Sequence, residues 1–137
     1  MQELLAPYVS SLAGYVCLGG LYVAQAFVAD AVAIRAKHVP GMPVTSGHDD
    51  LLFRATRAQA NTNENLAVFL LASLAAILLG ANPWWTNGLV WAFVLARLGH
   101  MLAYYANQRL LRSTAFSVSV AAVIGLLVVA IGALGAK

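Results

Sequence analysis

Four long apolar runs divide the chain, separated by short stretches that are polar or rich in helix breakers. A helix that crosses a bilayer needs about 20 mostly apolar residues, and each run meets that length. The first extends from about Pro7 to Ile34, with Pro7 where a helix would start. Gly14, Gly19 and Gly20 interrupt it and would let a neighbouring helix approach closely. The second runs from about Leu51 to Gly80 and is polar in its first half. The third runs from about Trp84 to Asn107, and the fourth, from about Thr114 to Leu134, carries no charge. The pattern predicts an all-α integral membrane protein. Its four transmembrane helices would cover roughly 7–36, 50–80, 84–107 and 113–135 of a single 1–137 domain.

The connections differ in character. Arg35–Asp50 holds Pro40, Gly41, Pro43 and Gly47, which break helices and mark a loop. Asp49-Asp50 follows, where acidic residues complement the dipole of a starting helix. Gly80-Ala81-Asn82-Pro83 reads as a tight turn, and Trp84-Trp85 after it as an interfacial anchor. Asn107–Ser113 reads as a short basic connection.

Composition narrows the class. With 61% hydrophobic and 9% charged residues, the chain does not resemble a soluble domain. The net charge of +3 matters less than its placement. Arg35, Lys37, Arg54, Arg57, Arg109 and Arg112 gather near the first and third connections, while the other side has Lys137 and the uncharged 80–83 turn. The positive-inside rule puts the first and third connections in the cytoplasm and both termini on the opposite side. No basic run with interleaved aromatics exists, so nucleic acid is not an expected partner. Cys17 is the only cysteine, so an intrachain disulfide is excluded, and its apolar setting predicts a small packing residue. The N-terminus lacks the basic start and small-residue cleavage site of a signal peptide, so none is expected.

Two polar stripes break the apolar pattern. Arg54, Arg57, Asn61 and Glu64 stand at i, i+3, i+7 and i+10 on the second helix, within about 80° of one another. Arg97, His100, Tyr104 and Gln108 form a similar stripe on the third. Arg97 stands ten residues before Asn107, about 15 Å below the connection, too deep for a surface anchor. Charges at membrane depth are costly and face protein or a wet cavity. A buried Arg97–Glu64 pair, helped by Asn61, is the expected arrangement. His100 alone fits a hydrogen-bonded structural group, and His38 and His48 form no ligand-spaced cluster, so no metal site is expected. Tyr104 shares the Arg97 stripe; Tyr105 is expected to face lipid or a neighbour. The remaining arginines exceed the nearby carboxylates, which suits lipid headgroups or a soluble anion.

Arg54-x-x-Arg57-Ala58-Gln59-x-Asn61-x-x-Glu64, four spans in 137 residues, and Arg97-x-x-His100-x-x-x-Tyr104 before Arg112-Ser113 together resemble the MAPEG family, the membrane-associated proteins in eicosanoid and glutathione metabolism. The resemblance implies a homotrimer of four-helix bundles with glutathione, as co-substrate or cofactor, bound between subunits near the cytoplasmic face. It implies glutathione contacts from Arg35, Arg54, Arg57, Asn61, Glu64, Arg97, His100 and Tyr104. Arg112 matches the arginine that stabilises the thiolate, with Arg109 a competing choice, and Ser113 matches a serine proposed to assist. Gln59 and Thr62 stand where some relatives have histidine and an acidic residue.

The implied activity is that of a glutathione transferase or peroxidase acting on lipophilic electrophiles or lipid hydroperoxides. The alternative is a non-catalytic lipid- or glutathione-binding scaffold, since one family branch binds lipid without catalysis. A small multidrug-type transporter would need a membrane-embedded carboxylate in the first helix, whereas Asp30 lies near its loop end. The topology is directly testable. Thr45→Cys and Ala136→Cys, made singly, should label from opposite sides of sealed vesicles; labelling from the same side would contradict the arginine-based orientation.

Overall fold

The computed structural model describes residues 2–136. A short α1 (Gln2–Leu5) and a 3-10 turn (Ala6–Tyr8) lead into α2 (Val9–Arg35), followed by α3 (Leu51–Leu78), α4 (Pro83–Tyr105) and α5 (Arg109–Gly135). The stretch Glu3–Arg35 and the helices α3, α4 and α5 are each long and apolar enough to cross a membrane. The chain is thus a multi-pass integral membrane protein built as a four-helix bundle, with lipid-facing apolar side chains. Lys137, which entered the charge asymmetry, lies outside the described residues.

The helix ends follow local chemistry. The Asp50 carboxylate accepts the Leu52 backbone N–H at 2.9 Å and caps α3. The nearby Ser46 hydroxyl and the Leu52 N–H hold that carboxyl below the usual carboxylate range. Asn82 caps α4 by accepting from the Trp84 and Trp85 N–H groups, and Pro83 supplies the preset φ of a first helical position. Pro7 sits within the 3-10 turn rather than at the helix start. α4 closes through Asn107, whose φ of 55° is left-handed. α5 then begins at Arg109, earlier than the Thr114 start read from apolarity. Nothing in Arg109-Leu110-Leu111-Arg112 opposes a helix, so these arginines sit on its first turn and not in a loop.

The core lies where α2, α3, α4 and α5 meet. Phe69 and Phe93 stack with centroids 4.0 Å apart, and Tyr15 meets Phe69 edge-on. Leu18, Val90, Val94 and Leu126 pack around them. At Gly14 a Cβ would lie 2.8 Å from Val90 Cγ1, so this glycine sets the approach of α2 to α4. At the far end, the Tyr8 hydroxyl donates to the Ala81 carbonyl and Asn87 bonds both Ser11 and Pro7. Cys17, expected in packing, is exposed on α2.

Arg97 is the largest fully buried side chain. One terminal amino group donates to Asn61 Oδ1 at 2.7 Å and the other to the Ser119 hydroxyl. Ser119 in turn donates to the Phe116 carbonyl. The rings of Phe93 and Phe116 lie 5.6 and 5.7 Å from the guanidinium carbon. The guanidinium therefore ties α3, α4 and α5 together. It does so without Glu64: the expected Arg97–Glu64 pair is absent, and Glu64 instead meets Arg57 at 3.4 Å with both side chains about half exposed. The stripe explains the split. Arg54 and Asn61 lie within about 20° of each other, whereas Arg57 and Glu64 lie about 60–80° further round, on the outer edge.

Two substitutions separate these roles. Asn61→Leu leaves a buried guanidinium short of an acceptor and should lower unfolding stability in detergent by about 1–3 kcal/mol. Adding Arg97→Met should recover most of that loss, because the uncompensated charge is removed. Glu64→Ala should cost under about 1 kcal/mol, as exposed pairs do. Strictly additive losses in the double variant would show that Asn61 does not serve Arg97.

Candidate functional site

At the end of the bundle that carries the long connection, α3, α4 and α5 leave a cleft of about 320 Å³. Asn61 lines it from α3, His100 and Tyr104 from α4, and Arg112, Ser113, Phe116 and Ser117 from α5. The helical period accounts for the convergence: His100 and Tyr104 are one turn apart, as are Arg112 and Phe116, and Ser113 and Ser117. His100 and Tyr104 are buried, with ring centroids 4.9 Å apart. Arg112 spreads over the Tyr104 ring, its guanidinium carbon 4.5 Å from the centroid. Apolar Leu110, Leu111 and Val118 lie exposed on α5, Leu111 and Val118 along a separate groove against α4. The helix that lines the polar cleft thus also presents apolar surface suited to lipid.

The electrostatics favour an anion. Arg112 and Arg109 stand on the first turn of α5, where unpaired backbone N–H groups already present partial positive charge. Arg54 lies close by on α3, donating to the His48 carbonyl at 2.7 Å. In the cleft wall, His100 Nδ1 is buried without a hydrogen-bond partner among the described residues, and so, outside the lining, are Nε of Arg97 and Nε of Arg54. Ser113 Oγ donates to the Arg109 carbonyl at 3.2 Å, and Ser117 Oγ to the Ser113 carbonyl at 3.1 Å. Both oxygens retain the capacity to accept from a ligand.

The residues singled out in the sequence fall into three groups. Asn61, His100, Tyr104, Arg112 and Ser113 share the cleft. Arg97 lies behind it, fully buried, and reaches the cleft only through Asn61. Arg35, Arg54, Arg57, Glu64 and Arg109 do not line this cleft; Arg54 bonds the His48 carbonyl beside it, Arg57 and Glu64 pair on the outer face, and Arg35 is exposed at the end of α2. Gln108, the last member of the second stripe, is the exposed N-cap residue of α5. Tyr105 is half-buried, with its hydroxyl enclosed and unpartnered.

Sequence reasoning missed three participants. Ser119 and Phe116 belong to the uncharged apolar run from about Thr114, which offers no polar stripe. Both lie on the face of α5 that meets Arg97. His48 reads from sequence as a loop residue outside any ligand-spaced cluster, yet its Nδ1 lies 3.0 Å from an Arg112 amino group. Only a reading that placed Arg112 on a helix facing the long connection would have found it.

The sequence profile of the MAPEG family matches residues 5–132 of the 137-residue chain. A search of curated proteins finds no match. The profile spans all four membrane-length helices and both polar stripes, and on that coverage the chain belongs to the MAPEG family.

Proposed function

We propose that the protein is a membrane-bound glutathione transferase that activates the glutathione thiolate against lipophilic electrophiles or lipid hydroperoxides. The observation that carries this reading is Arg112, held over Tyr104 at the rim of a polar cleft lined by a helix that also presents apolar surface. Glutathione has two carboxylates, an amine and a thiol whose free pKa is about 8.5. A guanidinium beside the sulfur favours its charged form and brings the thiolate population up near neutral pH.

In this reading Arg112 stabilises the sulfur anion and the Ser113 hydroxyl bonds the same group. Arg54 and His100 contribute donors to the peptide, and Asn61, fixed by Arg97, offers its amide. Arg97 is a positioning group here and does not touch the ligand. Arg35, Arg57, Glu64 and Arg109 become ligand contacts only if a neighbouring subunit brings their surface to the cleft. A homotrimer would do so. The exposed Arg57–Glu64 pair and the open space beside Gly19 and Gly20 on α2 support such an interface. The site would face the cytoplasm, where the positive-inside rule sends the arginine-rich end.

The chemistry follows in one displacement. The thiolate attacks an electrophilic carbon presented from the bilayer, a carbon–sulfur bond forms, and the leaving group departs with the electron pair. The proton lost from the thiol has already passed to solvent. Water-soluble and lipid-soluble reactants thus meet at one boundary.

Conjugation of glutathione to a generic aromatic halide tests this. The purified protein should turn over, and Arg112→Ala should lower kcat by about tenfold or more, a loss of over about 1.4 kcal/mol in the transition state, with glutathione affinity within a few-fold. Unchanged turnover in Arg112→Ala would remove Arg112 from catalysis. A parent protein that binds glutathione and never conjugates it would instead favour the scaffold reading.

A further inference from the structure

The connection between α2 and α3 carries a histidine to which the displacement above gives no role. His48 Nδ1 lies 3.0 Å from an Arg112 amino group. Arginine only donates, so Nδ1 is the acceptor and the ring is neutral, with its proton on Nε2. The imidazole packs edge-on to Phe53, centroids 5.0 Å apart, and 6.2 Å from the Tyr104 ring. Its backbone is tied down as well, since the His48 carbonyl accepts from Arg54 at 2.7 Å. Two residues on, Asp50 caps α3. The ring is thereby fixed from three sides, with Arg112 held between it and Tyr104.

We propose that His48 is the positioning residue for Arg112: its neutral imidazole holds the guanidinium over Tyr104 at the rim of the cleft, and protonation of that imidazole lets it go. The proposal rests on the reading of Arg112 as the group that stabilises the thiolate. The ionisable groups facing the imidazole are Arg112 and Arg109 from α5, Arg54 from α3 and the Tyr104 phenol from α4. Asp49, with Asp50 beyond it, lies on the connection itself.

Desolvation, then Arg112 and Arg109, push the His48 pKa below its ordinary value, against the opposing pull of Asp49. The sign is then clear. Above that lowered pKa the ring is neutral and the hold on Arg112 is present. Below it, the imidazolium has no acceptor at Nδ1 and repels the guanidinium. The site should be assembled at neutral pH and come apart in acid, and not the reverse.

The test uses the full chain in detergent or nanodiscs. His48→Leu should lower kcat for aromatic-halide conjugation about tenfold while KM for glutathione stays within a few-fold, the signature of a lost transition-state interaction. His48→Asn keeps a non-titrating oxygen near the Nδ1 position and should retain most of the parent kcat. Its kcat–pH profile should lack the acid limb that is expected for the parent below the ordinary histidine value of about 6.5. A second measurement needs no glutathione. In isotope-labelled protein, the His48 ring should be the Nε2–H tautomer with a midpoint below about 6.5, and Arg112→Gln should raise that midpoint. A midpoint unmoved by Arg112→Gln, or parent-like kcat in His48→Leu, would overturn the proposal. If the parent does not turn over, the transferase reading fails, and the midpoint shift still decides whether His48 holds Arg112.

Discussion

A guanidinium enclosed at membrane depth constrains everything around it. Arg97 stands eight residues before the end of α4 at Tyr105, about 12 Å along the helix axis, with no solvent exposure. A charge there must be solvated by the protein. Asn61 from α3, Ser119 from α5 and two aromatic faces do this, and no carboxylate takes part among the described residues. Neutral acceptors leave the positive charge in place while taking one hydrogen bond from each terminal amino group, and Nε has no partner among the described residues. The contacts also fix the rotation of three helices about their axes. That rotation turns His100 and Tyr104, on the same helix as Arg97, towards the first two turns of α5. The cleft is thus a consequence of how one buried arginine is hydrogen-bonded.

The same arrangement sets the field of the site. Arg97 supplies positive charge from behind, the α5 N-terminus and Arg109 from one end, Arg112 from the rim and Arg54 from beside His48. Bringing so many guanidinium groups together is unfavourable without anions, and the connection contributes only Asp49 and Asp50 nearby. A ligand with two carboxylates and an ionising thiol would relieve this repulsion. Membership of the MAPEG family places the chain among membrane proteins of eicosanoid and glutathione metabolism in general.

The four spans were legible because hydrophobicity over about 20 residues is a strong local signal. Asp49-Asp50 at a helix start and the tight turn at residues 80–83 are also legible, since dipole complement and turn chemistry depend on neighbours in sequence; the caps made by Asp50 and Asn82 come from the structure. The errors arose where tertiary placement decided the outcome. Glu64 and Arg97 looked like partners by depth and charge, but depth does not say which edge of a stripe faces inward. Asn61 occupies the inward edge and Glu64 the outward one. Arg109 and Arg112 read as loop residues because a polar stretch between two apolar runs resembles a connection, whereas the chain turns in three residues and resumes a helix at once. His48 and Ser119 gave no local sign at all. One bonds a residue 64 positions away and the other a residue 22 positions away.

The central claim is that this cleft converts bound glutathione into its thiolate. The most direct measurement is proton release on binding, followed in weakly buffered solution near neutral pH together with the ultraviolet absorbance of the thiolate. Adding glutathione to the parent protein should release close to one proton for each site filled, with thiolate absorbance rising in step. S-methylglutathione should bind with neither signal. Saturable glutathione binding with no proton release and no thiolate absorbance would contradict the account.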